Sequence, residues 1–318
     1  MTAPELSVVI PLYNEAQGLE ELHARLSAAL ETLPLSAEML FIDDGSSDDS
    51  FERLLDLVRR DPRVRALQLR RNYGKSPALA AGFALASGRL IVTLDADLQD
   101  DPAELPRLLS KLDEGYDLVS GWKRERKDPF TRRLASRLFN GVTAALTGVR
   151  LHDINCGLKA YRREVTDSIS LYGQLHRFLP VLAAKEGFRL AEVEVKHAPR
   201  RHGRSKFGSS RFLAGALDLL TVLFLTRFIL RPLHLFGGAG LAIGALGAAI
   251  TGWLGARRIL YHEYLSNRPL LLAGVLLTIV GAQLVSIGLI GEMIAAGAAS
   301  GKPTHVYGVR REAGFRPD

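Results

Sequence analysis

The chain has 318 residues, of which 47% are hydrophobic, and a formal net charge of +7. That length holds one large domain or two small ones, and the positive charge points to an anionic partner: nucleic acid, a phospholipid headgroup or a phosphorylated ligand. The single cysteine, Cys156, excludes an internal disulfide and a metal site built from thiolates.

The opening MTAPELSVVIPLYNE has no basic n-region and only a short apolar run broken by Pro11. No signal peptide is read, so the first domain is expected to stay cytoplasmic. Residues 6–11, 38–44, 64–69 and 89–95 are short, apolar and bounded by turn residues, the pattern of buried strands. Helical patterns lie between them. Leu19, Leu22, Leu26 and Leu30 repeat at helical spacing over 18–32. A helix over 48–60 starts at Asp48 or Asp49, one over 77–87 is alanine-rich, and one over 102–113 opens with Pro102 at its first turn. Strand and helix in alternation imply parallel strands with right-handed crossovers, and such sheets bind ligands at the carboxyl ends of the strands. Three of these strands end in polar clusters: PLYNE, DDGSSD and DADLQ. No GxGxxG and no GxxxxGK[ST] is present, which argues against dinucleotide and P-loop readings.

Further along, residues 128–149 read as a helix with Arg132 and Ser136 four apart on one face. Residues 192–198 alternate like a strand, and 199–211 form a basic loop with glycines. Residues 212–230 are apolar but carry Asp218 and Arg227, which favours a helix lying in the membrane interface over a spanning one. Residues 233–256 and 269–296 are each long enough to span, since a bilayer needs about 20 apolar residues. Their many Gly and Ala residues suit close helix packing and suggest an oligomer. Basic residues flank the pair on both sides, so the positive-inside rule places both termini in the cytoplasm. The expected division is a cytoplasmic domain over 1–210, an interfacial helix over 211–232, two spans within 233–298 and a cytoplasmic tail over 299–318.

The chemistry concentrates at the strand ends. Asp95 and Asp97 are two apart in extended chain and point the same way. Two converging carboxylates repel unless a cation lies between them, and Mg²⁺ or Mn²⁺ suits oxygen ligands shared with substrate phosphates. Gln99 follows at the same spacing and can add a carbonyl oxygen or orient water. Asp100 and Asp101 fit a turn that caps the next helix. Asp43 and Asp44 can accept from a base N–H or a ribose hydroxyl, or can serve turn chemistry alone. Trp122 either stacks a sugar or fills the core. Cys156 is read as packing.

The combination VVIPLYNE, IDDGSSD and LDADLQ resembles the family 2 glycosyltransferases over roughly residues 5–210. The resemblance implies a GT-A fold, a mostly parallel α/β sheet flanked by helices that binds a nucleotide-sugar and holds a divalent metal with an Asp-x-Asp motif. It implies nucleotide contacts from Pro11, Tyr13, Asn14 and Glu15, base or ribose contacts from Asp43 and Asp44, and metal ligation by Asp95 and Asp97. RNYGKSPAL, GWKRERKDP, HDINCGLKAYRR and HGRSKFG narrow the likeness to the dolichyl- or polyprenyl-phosphate sugar transferases, including the bacterial type with two C-terminal transmembrane helices. Those enzymes transfer one sugar to a lipid phosphate, which places this chain at a bacterial inner membrane. Arg132, Ser136 and Arg200 match acceptor-phosphate positions. Lys123 or Arg124 matches another, Lys206 joins the set, and Lys75 is a phosphate contact on the donor. Arginine suits this task because its planar fork binds phosphate bidentately. Asp153 aligns with the base of relatives that act on hydroxyl acceptors. A phosphate acceptor needs little or no base, so Asp153 is expected to orient the acceptor or the metal shell. Three rivals are weighed against this: a binding protein without turnover, which would not need the metal carboxylates; a processive glycan synthase, whose QxxRW-type motif is absent; and nucleic-acid binding, for which the basic stretches lack interleaved aromatics.

Overall fold

The computed structural model describes residues 3–124, 141–145, 147–171, 173, 175–196, 232–261, 269–298 and 309–314. The chain divides into two compact units: Met1–Leu219 together with Thr304–Asp318, and Leu220–Pro303.

The first unit is built on a mixed sheet of eight strands. In chain order the elements are β1 (Leu6–Leu12), α1 (Leu19–Glu31), β2 (Ala37–Asp43), α2 (Ser50–Arg60), β3 (Val64–Leu69), α3 (Lys75–Leu85), β4 (Leu90–Thr93), α4 (Leu105–Asp113) and β5 (Leu118–Trp122). There follow β6 (Lys159–Arg162), α5 (Arg163–Ser168), α6 (Leu179–Lys185) and β7 (Leu190–Glu194). The last strand, β8 (Val309–Ala313), comes after the second unit. The strand order is β7-β5-β6-β4-β1-β2-β3-β8. Strands β1 to β4 are mutually parallel, and β6 and β8 run against their neighbours.

β1 is apolar on both faces because both faces are covered, as parallel strands require. Leu6, Val8 and Ile10 pack with Leu19, Leu22 and Leu26 of α1 and Leu54 and Leu57 of α2. On the other face α3 lies so close that a Cβ at Gly82 would sit 2.2 Å from Val9 Cγ1. Parallel strands over helical crossovers bring the ends of β1, β2 and β4 to one edge, as the alternation predicts. The expected helices at 18–32, 48–60, 77–87 and 102–113 are present within a few residues, the last entered through a short 3₁₀ turn, Pro102–Glu104. Strands β5, β6 and β8 have no counterpart in the sequence reading. β5 contains Ser120 and Gly121, and β6 carries Lys159 and Arg162 within four residues, so neither shows apolar alternation. β8 is charged (VRREA) and forms the outer edge of the sheet, where charges deter further pairing. Of the helix expected over 128–149, residues 128–140 and 146 lie outside the described residues, 141–145 and 147 are helical, and 148–149 are not.

The second unit consists of α7 (Pro232–Tyr261) and α8 (Pro269–Ala298). Each includes a segment long and apolar enough to cross a membrane, Leu233–Tyr261 and Pro269–Gly291. Leu241, Ile259 and Leu272 are each about 70% exposed or more, which a core helix of a soluble protein would not allow. The two helices meet through small residues: a Cβ at Gly240 would lie 2.6 Å from Gly281 O, and one at Gly247 would lie 2.5 Å from Thr278 N. The segment 212–230 and the basic loop 199–211 lie outside the described residues.

Candidate active site

The loops after β1, β2 and β3 are sewn together by hydrogen bonds. Asn14 takes a left-handed backbone (φ 55°), and its N–H donates to Ser46 Oγ at 2.8 Å. Its side-chain oxygen accepts from Ser47 N at 2.8 Å. Glu15 N donates to Ser50 Oγ at 3.0 Å. Asp43 is fully buried; it accepts from Ser46 N at 2.9 Å and from Gln68 Nε2 on β3 at 2.8 Å. Asp44 accepts from Tyr73 N at 2.7 Å and Gly74 N at 2.8 Å, which fixes the loop leading into α3. Burial pushes the Asp44 carboxyl up, against the lowering effect of those two donors. Gly45 cannot be replaced without strain. Its φ is +72°, and a Cβ there would meet the Arg71 backbone at 2.4 Å. Pro11 and Tyr13 lie at the end of β1, beside these loops.

After β4 the burial pattern alternates. Leu94, Ala96, Leu98 and Asp100 are buried, while Asp95, Asp97 and Gln99 are partly exposed. The chain is no longer extended there, since Ala96 and Asp97 lie in a turn beyond the end of the ladder at Thr93. Leu98 holds a left-handed φ of 60°, and Gln99 N donates to Asp97 Oδ1 at 3.2 Å. Such a strained residue, held by its neighbours, is common at working sites. Lys75, the first residue of α3, donates through Nζ to Asp95 Oδ1. Burial acts to raise the Asp95 carboxyl, but Lys75, Lys123 and Lys159 together hold it below its usual value. The backbone approaches closely as well: a Cβ at Gly157 would lie 2.4 Å from Asp95 Oδ2.

These residues fit a divalent cation. The ammonium of Lys75 shows that Asp95 is aimed where a cation is received. Asp95 and Asp97 supply hard oxygens, and Mg²⁺ and Mn²⁺ complete their shells with water and substrate phosphates. Among the described residues no three His, Cys, Asp or Glu side chains group for a metal.

Around this pair lies a set of buried charges that sequence reasoning only partly foresees. Asp100, expected in a turn, is 1% exposed and pairs with Lys123 Nζ at 2.6 Å. Burial works against the Lys123 charge, but Asp100 holds its pKa above the usual value. Asp101 does cap the next turn, accepting from Ala103 N at 3.1 Å. Lys159, on β6, is buried; its Nζ donates to Cys156 O, and burial lowers its pKa. The Cys156 thiol is pushed up to about 12 by burial, so it is no nucleophile. Asp153 is 1% exposed, and its N–H donates to Glu192 Oε1 at 2.9 Å. Glu192 also accepts from His152 N at 2.8 Å, so this one carboxylate from β7 clamps the 152–153 backbone. Trp122 stacks on the His152 ring at 4.2 Å between centroids. His176 Nδ1 lies 2.9 Å from Ser76 Oγ, and burial, then Lys75, pushes its pKa well below the usual value.

Arg124 is exposed and lies 3.4 Å from Glu194 Oε2. The other expected acceptor-phosphate residues, Arg132, Ser136, Arg200 and Lys206, fall outside the described residues. Lys159, Glu192 and Gln68 escape the sequence reading. The one signal each leaves is a polar residue in a strand that is otherwise apolar or alternating.

Residues 7–170 match the glycosyl transferase family 2 model. The chain belongs to that family. It is 40% identical over 296 residues to a dodecaprenyl-phosphate galacturonate synthase of Rhizobium johnstonii, covering 92% of this chain and 88% of the relative. It is 40% identical over 292 residues to an undecaprenyl-phosphate 4-deoxy-4-formamido-L-arabinose transferase of an Enterobacter species, covering 91% and 88%. Among solved structures, the glucosyl-3-phosphoglycerate synthase of Mycobacterium tuberculosis with Mn²⁺, UDP-glucose and phosphoglyceric acid aligns at a TM-score of 0.52 and 22% identity. That alignment covers 70% of this chain and 79% of the other. It bears out the GT-A fold of this family 2 glycosyltransferase.

Proposed function

We propose that this family 2 glycosyltransferase moves one sugar from a nucleotide-sugar to the phosphate of a polyprenyl phosphate, with inversion, at the cytoplasmic face of a bacterial inner membrane. The observation that carries the reading is the pair of partly exposed carboxylates, Asp95 and Asp97, just after β4, with the Lys75 ammonium against Asp95. The two relatives above are named for polyprenyl phosphates and for different sugars, which supports the acceptor and leaves the sugar open. The Mn²⁺ and UDP-glucose of the solved neighbour support a UDP-sugar donor and a Mn²⁺ or Mg²⁺ requirement.

In this reading the loops of Pro11, Tyr13, Asn14, Glu15, Asp43 and Asp44 hold the nucleoside. Asp95 and Asp97 are the residues that would hold a divalent cation, and Lys75 would contact the donor diphosphate. A divalent ion there supplies Lewis-acid charge that stabilises the departing diphosphate. A phosphate oxygen of the acceptor forms the new bond to the anomeric carbon while the bond to the nucleoside diphosphate breaks on the opposite side. The acceptor oxygen is already anionic near pH 7, so no side chain must remove its proton. Asp153 orients the acceptor, fixed through its backbone by Glu192. Arg124, Arg132, Ser136, Arg200 and Lys206 bind the acceptor phosphate, and Lys123 contributes positive charge from its pair with Asp100.

The strand pairing supports a topology with two crossings. β8 lies beyond α7 and α8 yet pairs with β3. If the helices span, the chain between the two strands crosses the membrane an even number of times. Two crossings by α7 and α8 would satisfy this, and with the basic flanks of the pair it supports the reading that both termini are cytoplasmic.

The test is a transfer assay on detergent-purified protein with polyprenyl phosphate, Mn²⁺ or Mg²⁺ and a panel of radiolabelled UDP- and GDP-sugars. Metal-dependent label in the organic phase from one donor, lost in Asp97→Ala, is the expected result. Donor binding with no transfer to any polyprenyl phosphate would overturn the reading in favour of a binding protein.

A further inference from the structure

β8 does more than close an edge. Arg311, at its centre, faces Gln68 across the ladder. Arg311 Nε donates to Gln68 Oε1 at 2.9 Å. That contact turns the Gln68 amide so that Nε2 points inward and donates to Asp43 Oδ2 at 2.8 Å. Asp43 accepts in turn from Ser46 N at 2.9 Å, and Ser46 Oγ accepts from Asn14 N at 2.8 Å. The other arm of the same guanidinium donates to Glu52 Oε1 at 2.8 Å, and its plane lies over the Phe51 ring at 4.4 Å from the centroid. Phe51 and Glu52 open α2, the helix that follows the Asp43–Asp49 turn. The Arg311 fork thus grips β3, the strand paired with the β2 that enters the turn, and α2, the helix that leaves it.

We propose that Arg311 is a positioning residue for the nucleotide donor, acting through Gln68 and Asp43 on the two loops that receive the nucleoside. This rests on the reading of those loops as the donor site. The physical reason lies in the ambiguity of an amide. Gln68 has one oxygen and one NH₂ that are nearly equal in shape, and Asp43 accepts only from the NH₂. A cation on the outer side fixes the orientation, because reversing the amide would set NH₂ against guanidinium and oxygen against carboxylate. Gln68 is 3% exposed, so little water is available to make good a reversed pairing. The donor loops of the amino-terminal half are thereby tied to a strand that the chain supplies only after both apolar helices.

The test uses the full chain in detergent and measures the Kd of UDP with Mn²⁺ by calorimetry, beside the melting temperature. Arg311→Met is expected to raise the Kd about tenfold, the loss of one well-placed charged hydrogen bond. Arg311→Lys, which keeps a donor towards Gln68, is expected to recover part of that loss. Glu52→Gln, which touches only the outer arm, is expected to stay near wild type. In the transfer assay Arg311→Met should raise the donor KM and leave the acceptor KM unchanged, a split that general destabilisation would not produce. If Arg311→Met does not fold, Gln68→Met, which breaks the same relay from its centre, carries the measurement. An unchanged Kd in the relay variant, with UDP binding lost in Asp97→Asn, would overturn the inference and leave the donor site standing. A wild-type protein that binds neither UDP nor GDP would overturn the donor reading and this inference with it.

Discussion

On the β1–β3 side of the strand edge, Asp43 and Asp44 accept hydrogen bonds from Ser46, Gln68, Tyr73 and Gly74. On the β4–β6 side, Asp95 faces Lys75 and Asp100 faces Lys123, and Lys159 lies buried close by. The first half is a set of loops tied by short-range hydrogen bonds, complete without a ligand. The second half is a balance of charges within reach of a ligand, since Asp95 is partly exposed and its partner is a flexible lysine. A nucleoside needs a preformed slot. A diphosphate and a divalent ion need charges that can exchange partners. The difference matches the two halves of a nucleotide-sugar.

The charged half should show the largest effect. Asp97→Asn removes an anion from a site crowded with lysines and is expected to lower sugar transfer about a thousandfold or more, about 4 kcal/mol at the transition state. The transfer assay reads this, and an unchanged melting temperature would show that the loss is chemical. A variant within tenfold of wild type would mean that Asp97 lies outside the chemistry.

Next comes the pair that takes no part in exchange. Lys123→Met leaves Asp100 buried without its partner, a change that typically costs about 3–5 kcal/mol. Thermal unfolding of the full chain should show a large drop. Lys123→Met combined with Asp100→Leu should recover most of it, because apolar groups of similar volume replace a buried pair at little cost. If the single and double variants melt together, the pair is not what holds this half. Asp44→Asn probes the tied half and should cost less, about 1–2 kcal/mol, since asparagine keeps one acceptor for two donors. Donor KM should rise with it.

The two halves also differ in how far the sequence discloses them. Asp95, Asp97 and Gln99 are legible as a polar cluster that ends an apolar strand, and all three stay partly exposed, but a turn at 96–98 replaces the extended chain from which their common direction is expected. PLYNE and DDGSSD are legible as strand ends because proline and turn residues stop the apolar runs. The same text misleads about Asp100, since a turn residue and a buried ion-pair partner look alike until Lys123, far along the chain, comes beside it. Gln68 and Glu192 are illegible for a related reason. Each is a polar residue in a strand that holds another, and its meaning lies in distant partners: for Gln68 that partner is Arg311, 243 residues away. β5, β6 and β8 hide because pairing in the middle or at the edge of a sheet overrides weak local propensity.

The smallest effect concerns pH at the junction of the halves. His176 packs on Ser76, one residue after Lys75, and its folded pKa lies well below the usual 6.5 through burial and the nearby lysine. The folded protein therefore keeps His176 neutral where the unfolded chain would bind a proton. Stability rises with pH wherever the unfolded state holds more protons. The contribution of the neutral ring is thus fully present above about pH 6.5 and is lost as pH falls below that value toward the folded pKa. Melting temperature should decline between pH 7 and 5.5, with a slope of up to one proton from this residue. His176→Gln keeps a partner for Ser76 and cannot titrate, so it should flatten that part of the profile. An unaltered slope in His176→Gln would assign the decline to other groups and leave the α3 junction insensitive to pH.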